Sequence, residues 1–502
     1  FLEQRLTVYP AYVVEGERWL DDGVQTSVLR LSDAAGFARR DSWVPGEEHG
    51  VPAIEVKLLA ARVKPDAVSP DVLDIVERCS ETGPLIDADV TRLFNVRGAD
   101  FSYVVAQADQ LREKVNGDTV SYVVNRNINY TNVCYFKCQF CAFSKGKQSE
   151  NLRGRPYDIT GEDIAGRCSE AWDRGATEVC MQGGIHPDYT GQTYLDIVNT
   201  VRSATPEMHI HAFSPLEVWQ GAATLGVSVP NFLRQLRQAG LNTLPGTAAE
   251  ILHDEVRANL CPDKLNTEQW LEVMAASHAE GMRTTATIMY GHIDRPWHWA
   301  SHLMHIRSLQ QRTAGFTEFV PLPFVHMEAP MYLKGKARRG PSFREAILMH
   351  AVARLVFHGL IENIQASWVK MGREGVAACL NAGVNDLGGS LMNESITRAA
   401  GSGHGQEWEP ELMEAQIHAA GRQPRMRTTL YGDAAQERRN AAFNAAPLAA
   451  VRGASAAKNQ RSKRLSVVER PLGAPDTLEV KWIHESRDST VYESVVLMAA
   501  CN

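Results

Sequence analysis

Three cysteines stand close together in one segment of the sequence, Cys134, Cys138 and Cys141, with three and two residues between them. Thiolates are soft ligands that suit iron-sulfur clusters, and this spacing lets a short loop reach three corners of a cubane. Three protein ligands leave one iron of such a cluster open. The segment therefore predicts a 4Fe-4S cluster with these three cysteines as its protein ligands.

A structural zinc site is the main alternative for the three cysteines. Tetrahedral zinc takes four ligands, and no further Cys or His follows closely enough on this segment to supply the fourth. Catalytic zinc accepts three protein ligands but usually includes histidine. Packing or redox roles would explain one or two cysteines and not the regular trio. The other cysteines, which we interpret as structural or incidental, are Cys79, Cys168, Cys180, Cys261, Cys379 and Cys501.

Short apolar runs alternate with helical patterns from about residue 120 to residue 389, an order that specifies βα units and a parallel sheet. Eight such runs are candidate strands, and eight is the strand number of a closed α/β barrel. We therefore predict an α/β fold, a (β/α)8 or incompletely closed TIM-like barrel with N-terminal helices. The candidate strands are 120–129, 178–182, 209–213, 241–244, 284–290, 316–320, 363–367 and 383–387.

Helix signals lie between the candidate strands. Thr160 with Asp163, and Ser342 with Glu345, have the spacing of capping boxes, and Pro296 suits a first helical turn. Before the barrel, residues 85–94 and 101–115 have helical periodicity.

Polar and glycine residues follow the second and third candidate strands, where barrel enzymes carry their chemistry. Gly183 and Gly184 follow the second strand, and glycine lets a ligand approach the backbone closely. Ser214 and Glu217 close the third strand and are candidates for polar contacts to a cofactor or substrate. Taken alone, the glycine pair is typical of a turn, and the other two residues are equally typical of loop capping.

The composition narrows the class of partners. The net charge of -7 and the pI of about 6.2 do not favour nucleic acid, so small molecules are expected. No apolar run approaches the roughly 20 residues of a membrane span. Nine cysteines are too few for a secreted disulfide scaffold, and no signal segment opens the sequence. We therefore predict a cytoplasmic protein with neither a membrane nor a nucleic-acid partner.

The sequence divides into four predicted regions. Residues 1–50 form a first region, 51–118 a linker with N-terminal helices, 119–433 the barrel, and 434–502 a tail of unknown role. The tail is Ala-rich, then basic, then strand-like over 477–492. Its basic run is typical of a solvated linker. Because the first residue is Phe1, we expect either a fragment or a removed upstream segment.

The cysteine motif at the end of the first barrel strand, with the aromatic Phe140 before its last cysteine, resembles the signature of the radical S-adenosylmethionine superfamily. The resemblance implies that the open iron binds S-adenosyl-L-methionine and that an electron from the cluster cleaves it to a deoxyadenosyl radical. It also implies that Gly183 and Gly184 lie against the methionyl end of the cofactor, with Phe140, Ser214 and Glu217 nearby. We expect valine at either glycine to crowd this cofactor while leaving the cluster in place.

Several later segments together resemble the CofH-type half of FO synthase, over about residues 70–433. The resemblance implies a transferase that moves the 4-hydroxybenzyl group of L-tyrosine to 5-amino-6-(D-ribitylamino)uracil. The product then passes to a CofG-type partner in cis or in trans, and an electron donor such as ferredoxin or flavodoxin feeds the cluster. The segments that carry the resemblance are 244–250, 291–296, 316–328, 365–368 and 385–394.

Residues 1–50 resemble the C-terminal end of a CofG-type domain. Within the barrel, His292, Asp386 and Glu394 are the predicted catalytic residues, because each is expected to follow a strand. On the same ground, the residues also expected around the substrates are Asp294, Glu318, His326, Glu328 and Asn385.

Two other functions remain open at this point. A radical enzyme of the aminofutalosine synthase type, from menaquinone synthesis, shares the cysteine loop and the general plan but uses a different acceptor. A non-catalytic metal-binding scaffold would be a colourless zinc protein that S-adenosylmethionine does not affect.

Overall fold

A curled sheet of parallel strands lies at the centre of the computed structural model, which describes residues 9–144 and 156–448. Its strands are β1 (Thr119–Val123), β2 (Asn125–Asn129), β3 (Glu178–Gln182), β4 (His209–Ala212), β5 (Thr243–Leu244), β6 (Arg283–Tyr290), β7 (Phe316–Pro323), β8 (Asp386–Gly389) and β9 (Gln423–Met426).

The strands form two hydrogen-bonded sheets that join into an incompletely closed barrel. Strands β2 to β7 pair in chain order, and β1 pairs with β8 on one side and β9 on the other. All of these pairs are parallel. Two isolated parallel bridges, Phe319 with Ile364 and Gln365 with Asp386, connect β7 to β8. The predicted fold class is therefore confirmed.

Helices surround the barrel and precede it. Those before the barrel are α1 (Pro10–Val14), α2 (Gly16–Trp19), α3 (Asp22–Leu31), α4 (Ala53–Ala60), α5 (Pro70–Ser80), α6 (Asp87–Phe94) and α7 (Gly98–Asn116), with a 3-10 turn at Pro65–Ala67. Those after β2 are α8 (Gly161–Asp173), α9 (Gly191–Ala204), α10 (Pro215–Leu225), α11 (Val229–Ala239), α12 (Asp254–Leu260), α13 (Thr267–Ala279), α14 (Pro296–Thr313), α15 (Pro330–Leu333), α16 (Phe343–Val356), α17 (Trp368–Leu380), α18 (Ile396–Ala399), α19 (Pro410–Ala419) and α20 (Gln436–Phe443).

The local helix signals are confirmed. The Thr160 and Ser342 hydroxyls each accept a hydrogen bond from the backbone N–H three residues later. The Asp163 and Glu345 carboxylates accept the backbone N–H of Thr160 and Ser342 in turn, so α8 and α16 begin in capping boxes. Pro296 opens α14. Within the described ranges, no helix combines the length and apolar character needed to cross a membrane.

Three strand predictions differ from the structure. The predicted first strand is two strands, because its amino-terminal half pairs with β8 and β9 and its other half pairs with β3. The run 363–367 forms only isolated bridges. The last predicted strand, 383–387, begins only at Asp386, and Gly383 has a φ of 93°, outside the extended region of a strand. The run 477–492 lies outside the described residues.

The sequence did not predict strand β9. The residue that follows this strand, Arg427, is a buried arginine at the amino-terminal end of the barrel. Arg427 donates to both carboxylate oxygens of Asp386, at 2.6 and 3.0 Å, and to Glu318 at 3.1 Å. Ser121 also donates to Asp386, and Tyr431 donates to Glu318, each at 2.5 Å. Since Asp386 opens β8 and Ser121 lies in β1, this network occupies the amino-terminal end of the barrel.

The segment before α4 packs against the barrel helices. Asp33 pairs with Arg344 at 3.2 Å and with Arg97 at 2.6 Å. Burial raises the pKa of Asp33, but the two guanidinium groups outweigh it and hold the pKa below its ordinary value. The Ala34 N–H donates to Glu345 at 2.6 Å. These buried contacts fix this segment to α16.

Replacing Arg427 with Leu should strongly destabilise the protein, because it leaves two buried carboxyl groups without their cation. We expect a loss of about 3–5 kcal/mol of unfolding free energy, measured by denaturant unfolding followed by tryptophan fluorescence. Arg425 lies on the same strand and pairs with Asp433 at the surface, at 2.7 Å. Arg425→Leu should change stability by no more than about 0.5 kcal/mol. Equal losses in the two variants would contradict the role given to Arg427.

Candidate active site

The loop that carries the three cysteines leaves the carboxyl end of β2. Cys134, Cys138 and Cys141 are free thiols, each partly buried. Hydrogen bonds tie the loop to its neighbours: Tyr135 N donates to Ile185 O at 3.1 Å, Gln139 N to Leu260 O at 3.0 Å, and Met331 N to Gln139 O at 2.8 Å. The segments that follow β3 and β7 and the last residue of α12 therefore hold the loop in place.

The chemistry of this loop fits an iron-sulfur cluster better than a single metal ion. In tetrahedral zinc sites with Zn–S bonds of about 2.3 Å, two sulfurs lie only about 3.8 Å apart. Among the described residues, the groups of three potential ligand atoms within 4.8 Å of one another do not include these cysteines. Burial raises the pKa of the Cys134 thiol, while N–H groups of Ile185 and Phe136 partly offset this. A metal cluster would supply the remaining charge that a thiolate needs.

One group of three residues does have its potential ligand atoms within 4.8 Å of one another, but the hydrogen bonds of this group oppose metal binding. His253, Glu255 and His298 lie together at the starts of α12 and α14. The Nδ1 of His298 accepts the backbone N–H of Arg295 at 3.0 Å, so its proton resides on Nε2. That Nε2 is the atom facing Glu255, at 3.8 Å. Its lone pair is therefore not available to a metal, and we assign no metal centre to this group.

The glycine pair lies directly against the cysteine loop. A Cβ atom on Gly183 would come within 2.2 Å of the Tyr130 ring. A Cβ on Gly184 would lie 2.3 Å from the carbonyl oxygen of Val133 and 3.0 Å from the Cβ of Cys134. A side chain at Gly184 would therefore press on the cysteine loop itself, so for that position we now expect a disturbed cluster. The expectation that a larger residue at Gly183 spares the cluster stays a prediction.

Glu217 joins the loops that follow β2, β3 and β4. One carboxylate oxygen accepts the Gly183 N–H at 3.2 Å and the Tyr130 hydroxyl. The other accepts the Ser214 N–H at 2.7 Å and the Ser214 hydroxyl at 2.5 Å. Burial raises the pKa of Glu217 despite these four donors. Ser214 and Glu217 thus form the capping box of α10 and at the same time fix the glycine pair.

Phe140 lies in the loop between Cys138 and Cys141, beside a buried lysine. The Nζ of Lys264 is 5.2 Å from the centre of its ring. Phe140 and Cys138 both pack against a small apolar cluster that includes Leu260 and Cys261. The structure therefore brings Phe140, the three cysteines, the glycine pair and Glu217 into one region at the carboxyl ends of the strands.

The three predicted catalytic residues lie in separate networks. His292 is fully buried, and its ring nitrogens are bonded to the Ile293 N–H at 2.8 Å and the Met289 carbonyl at 3.1 Å. Asp386 opens β8 and pairs with Arg427 at the opposite end of the barrel. Glu394 caps the short helix α18 by accepting the Thr397 N–H at 2.6 Å. The expectation that Asp386 follows a strand is wrong, and all three settings favour structural roles.

Three of the remaining substrate candidates have comparable settings. Asp294 accepts the Gly291 N–H and pairs with Arg338 at 3.1 Å, and the Glu318 carboxylate lies within β7 rather than after it. Asn385 lies just before β8 and is bonded to Arg354. Structural bonds therefore account for the polar groups of these three residues.

Sequence reasoning missed a row of polar residues inside the barrel. Asn127, Cys180, His211 and Thr243 are successive register partners across β2, β3, β4 and β5. The Nδ1 of His211 lies 2.7 Å from the Thr243 hydroxyl oxygen. The signal was available, because asparagine occupies every second position along 125–129 and apolar residues occupy alternate positions along 178–182, which predicts a polar face within a buried sheet.

Solved structures share this fold. The chain resembles methylornithine synthase (PylB), with a TM-score of 0.54 and 17% identity over 70% of this chain and 97% of that one. It also resembles HydG, a maturase of the [FeFe]-hydrogenase, with a TM-score of 0.56 and 14% identity over 75% and 79%. The radical SAM superfamily model matches residues 128–305, and the model for the CofH/MqnC C-terminal region matches residues 313–439. Fold and cysteine loop together define a radical SAM protein.

Comparison with curated relatives shows to which family of radical SAM proteins the chain belongs. The FO synthase of Streptomyces avermitilis is 42% identical over 88% of this chain and 55% of its own length, and that of Mycobacterium leprae is 42% identical over 86% and 54%. The 5-amino-6-(D-ribitylamino)uracil--L-tyrosine 4-hydroxyphenyl transferase of Methanopyrus kandleri is 46% identical over 74% of this chain and 98% of its own length. The chain belongs to the family that this transferase and the FO synthases share. It spans about half the length of the FO synthases.

Replacing Cys134, Cys138 and Cys141 together with Ala should abolish cluster binding. Anaerobically reconstituted wild-type protein should be brown and contain about four irons per chain, and the triple variant should contain almost none. The matched control replaces three buried cysteines elsewhere, Cys79, Cys168 and Cys379. It should keep the wild-type iron content. Iron that persists in the first triple variant would refute the assignment.

Replacing Gly184 with Ala should lower the iron content, because its Cβ would displace the Val133 carbonyl beside Cys134. Gly166 is the control, since it lies in α8, where an added Cβ atom would meet no other part of the chain within 4 Å. Gly166→Ala should retain full iron and gain roughly 0.5–1 kcal/mol of stability from its helical position. A Gly184→Ala variant that binds as much iron as the wild type would disprove the close approach of Gly184 to the cysteine loop.

Proposed function

We propose that the chain is a radical SAM transferase that joins the 4-hydroxybenzyl group of L-tyrosine to 5-amino-6-(D-ribitylamino)uracil. The observation that carries this proposal is the 46% identity to the Methanopyrus kandleri transferase, which extends over 98% of that enzyme. The FO synthase relatives support the same reaction class. The reaction is a step toward FO, the deazaflavin chromophore of coenzyme F-420.

The cysteine loop is the proposed cofactor site. Cys134, Cys138 and Cys141 would hold a 4Fe-4S cluster, and S-adenosyl-L-methionine would lie beside Gly183 and Gly184. When bound, the cluster supplies an electron that cleaves S-adenosylmethionine and so provides the radical that activates tyrosine. The contribution of the chain is to keep this region closely packed and to hold the glycine pair through Glu217.

The polar row inside the barrel is the proposed location of the acceptor substrate. A ribityl chain and a uracil ring present hydroxyl, N–H and carbonyl groups that need partners when they are buried. Asn127 and His211 offer amide and imidazole groups on one face of the sheet, where the Thr243 hydroxyl orients the His211 ring. The Asn127 amide oxygen is buried and has no hydrogen-bond partner, which suits it to accept from a substrate.

A CofG-type enzyme that closes the deazaflavin ring is the proposed partner, in cis or in trans. We propose that residues 1–50 are the C-terminal end of such a domain, followed by a linker with helices at 51–118, the radical SAM barrel at 119–433 and a tail at 434–502. The FO synthase match covers more of this chain than the transferase match does, 88% against 74%, so part of the chain beyond the transferase match is similar to FO synthases. The electron donor would be a ferredoxin or flavodoxin in the cytoplasm.

No specific observation favours the alternative function, that of an aminofutalosine synthase. The description of the C-terminal family model covers both CofH and MqnC, so that match alone does not separate the two functions. The full-length match to the tyrosine transferase favours the first. A zinc scaffold is disfavoured because the three thiols are not grouped for one ion.

The reaction can be tested with ring-labelled L-tyrosine. Reconstituted protein with reductant, S-adenosylmethionine, labelled tyrosine and 5-amino-6-(D-ribitylamino)uracil should yield deoxyadenosine and a labelled 4-hydroxybenzyl adduct of the uracil. Mass spectrometry after an anaerobic incubation detects both products. Fluorescent deazaflavin should form only after a CofG-type enzyme is added, because this chain has a single Cys-x3-Cys-x2-Cys motif.

Two controls make this test specific. Asn127→Ala should weaken adduct formation more than it weakens cleavage of S-adenosylmethionine, because it removes a proposed substrate contact and leaves the cysteine loop unchanged. Omitting the uracil should abolish the adduct. A fully loaded protein that yields no labelled adduct, or that makes deazaflavin alone, would overturn the proposal.

A further inference from the structure

A buried lysine lies beside the cysteine loop and belongs to none of the predicted sites. The Nζ of Lys264 pairs with the Glu250 carboxylate at 3.0 Å, and both side chains are only about a tenth exposed, 12% and 11%. The same Nζ lies 5.2 Å from the centre of the Phe140 ring. A lysine is rarely buried unless a charged partner or a function holds it there.

The segment that carries Lys264 is fixed to the cysteine loop by backbone contacts. Leu260 O accepts the Gln139 N–H at 3.0 Å, and the Asp263 carboxylate accepts the Lys137 N–H at 3.1 Å. These bonds lie on either side of Cys138 in the loop. The ammonium therefore has a defined position with respect to that thiol.

Contacts place this ammonium close to the cysteine loop. Its Nζ lies 5.2 Å from the centre of the Phe140 ring, and Phe140 and Cys138 both pack against one small apolar cluster. The Glu250 carboxylate, 3.0 Å from the Nζ, favours the charged form of the lysine. Leu260 and Met331 belong to that cluster, and such an apolar setting leaves little water to screen a charge beside it.

We propose that Lys264, held by Glu250, is a positioning cation that stabilises the reduced form of the cluster bound to Cys138. This inference rests on the cluster in the proposed function. One-electron reduction adds a negative charge to the cluster, and a fixed positive charge nearby favours the state that carries it. Glu250 orients the ammonium. Because Glu250 is itself an anion, it opposes part of the lysine's effect on the reduced cluster.

The test is the midpoint potential of the cluster in the reconstituted protein without S-adenosylmethionine, followed by EPR during a redox titration. At the wild-type midpoint, Lys264→Met should lower the ratio of reduced to oxidised cluster about tenfold. For a one-electron couple this is a shift of about 59 mV to lower potential. Lys264→Arg should keep the midpoint close to the wild-type value, because it keeps the positive charge.

Two further variants make the result specific to a buried charge. Glu250→Gln should shift the potential in the opposite direction, because it keeps an oxygen for Lys264 and removes the negative charge. Lys334→Met is the matched control: its Nζ donates to Gln139 of the same loop at 3.1 Å but is exposed. Solvent screens such a charge, so its loss should leave the midpoint unchanged.

The outcomes separate this inference from the proposed function. An unchanged midpoint in Lys264→Met overturns it, and so does a loss of S-adenosylmethionine affinity with no change in midpoint, which would assign the lysine to the cofactor's carboxylate. The titration reports only molecules that carry a cluster, so partial loading does not obscure the result. A wild-type protein that binds no cluster would overturn the proposed cofactor site itself, and this inference with it.

Discussion

The arrangement of the candidate site depends on the buried carboxylate of Glu217. Its two oxygens accept four hydrogen bonds, from Gly183, Tyr130 and both donors of Ser214. These donors belong to loops after three neighbouring strands, so one side chain fixes their relative positions. A buried carboxylate is costly unless its lone pairs are occupied, and the complete set of donors meets that requirement. The glycine pair is thereby held against the cysteine loop, where space remains for no side chain.

Charge is distributed unevenly along the barrel axis. At the amino-terminal end, Arg427 pairs with both Asp386 and Glu318, and burial raises the pKa of Glu318 to about 7. At the carboxyl end, the charged pair of Lys264 and Glu250 lies beside Phe140 of the cysteine loop. Hydrogen bonds occupy the charged groups of the first network, which therefore serves stability. The second pair lies against the loop whose cysteines, with a cluster bound, would add negative charge, and so it has a place in the proposed chemistry.

Some site residues were predictable because local spacing alone specifies their chemistry. The three cysteines lie on one loop, and the capping-box spacing of Ser214 and Glu217 fixes their mutual contact within a single helix turn. Other predictions failed because they relied on strand boundaries. Asp386 was expected beyond a strand, but β8 begins at that residue, after the left-handed backbone at Gly383. His292 carries a plausible catalytic group, yet neighbouring backbone atoms occupy both ring nitrogens.

The sequence alone predicts the three cysteines as cluster ligands, and it indicates the barrel and the family resemblance, because these follow from residue type, short spacing and the alternation of strands and helices. It does not identify β9, whose residues Gln423–Met426 lack any strand pattern and pair only because the edge of β1 is open to them. Nor does it place Lys264 beside Cys138, since 125 intervening residues separate the two along the chain. Such contacts arise only when the strands bring distant loops to the same end of the barrel, and no local pattern encodes that proximity.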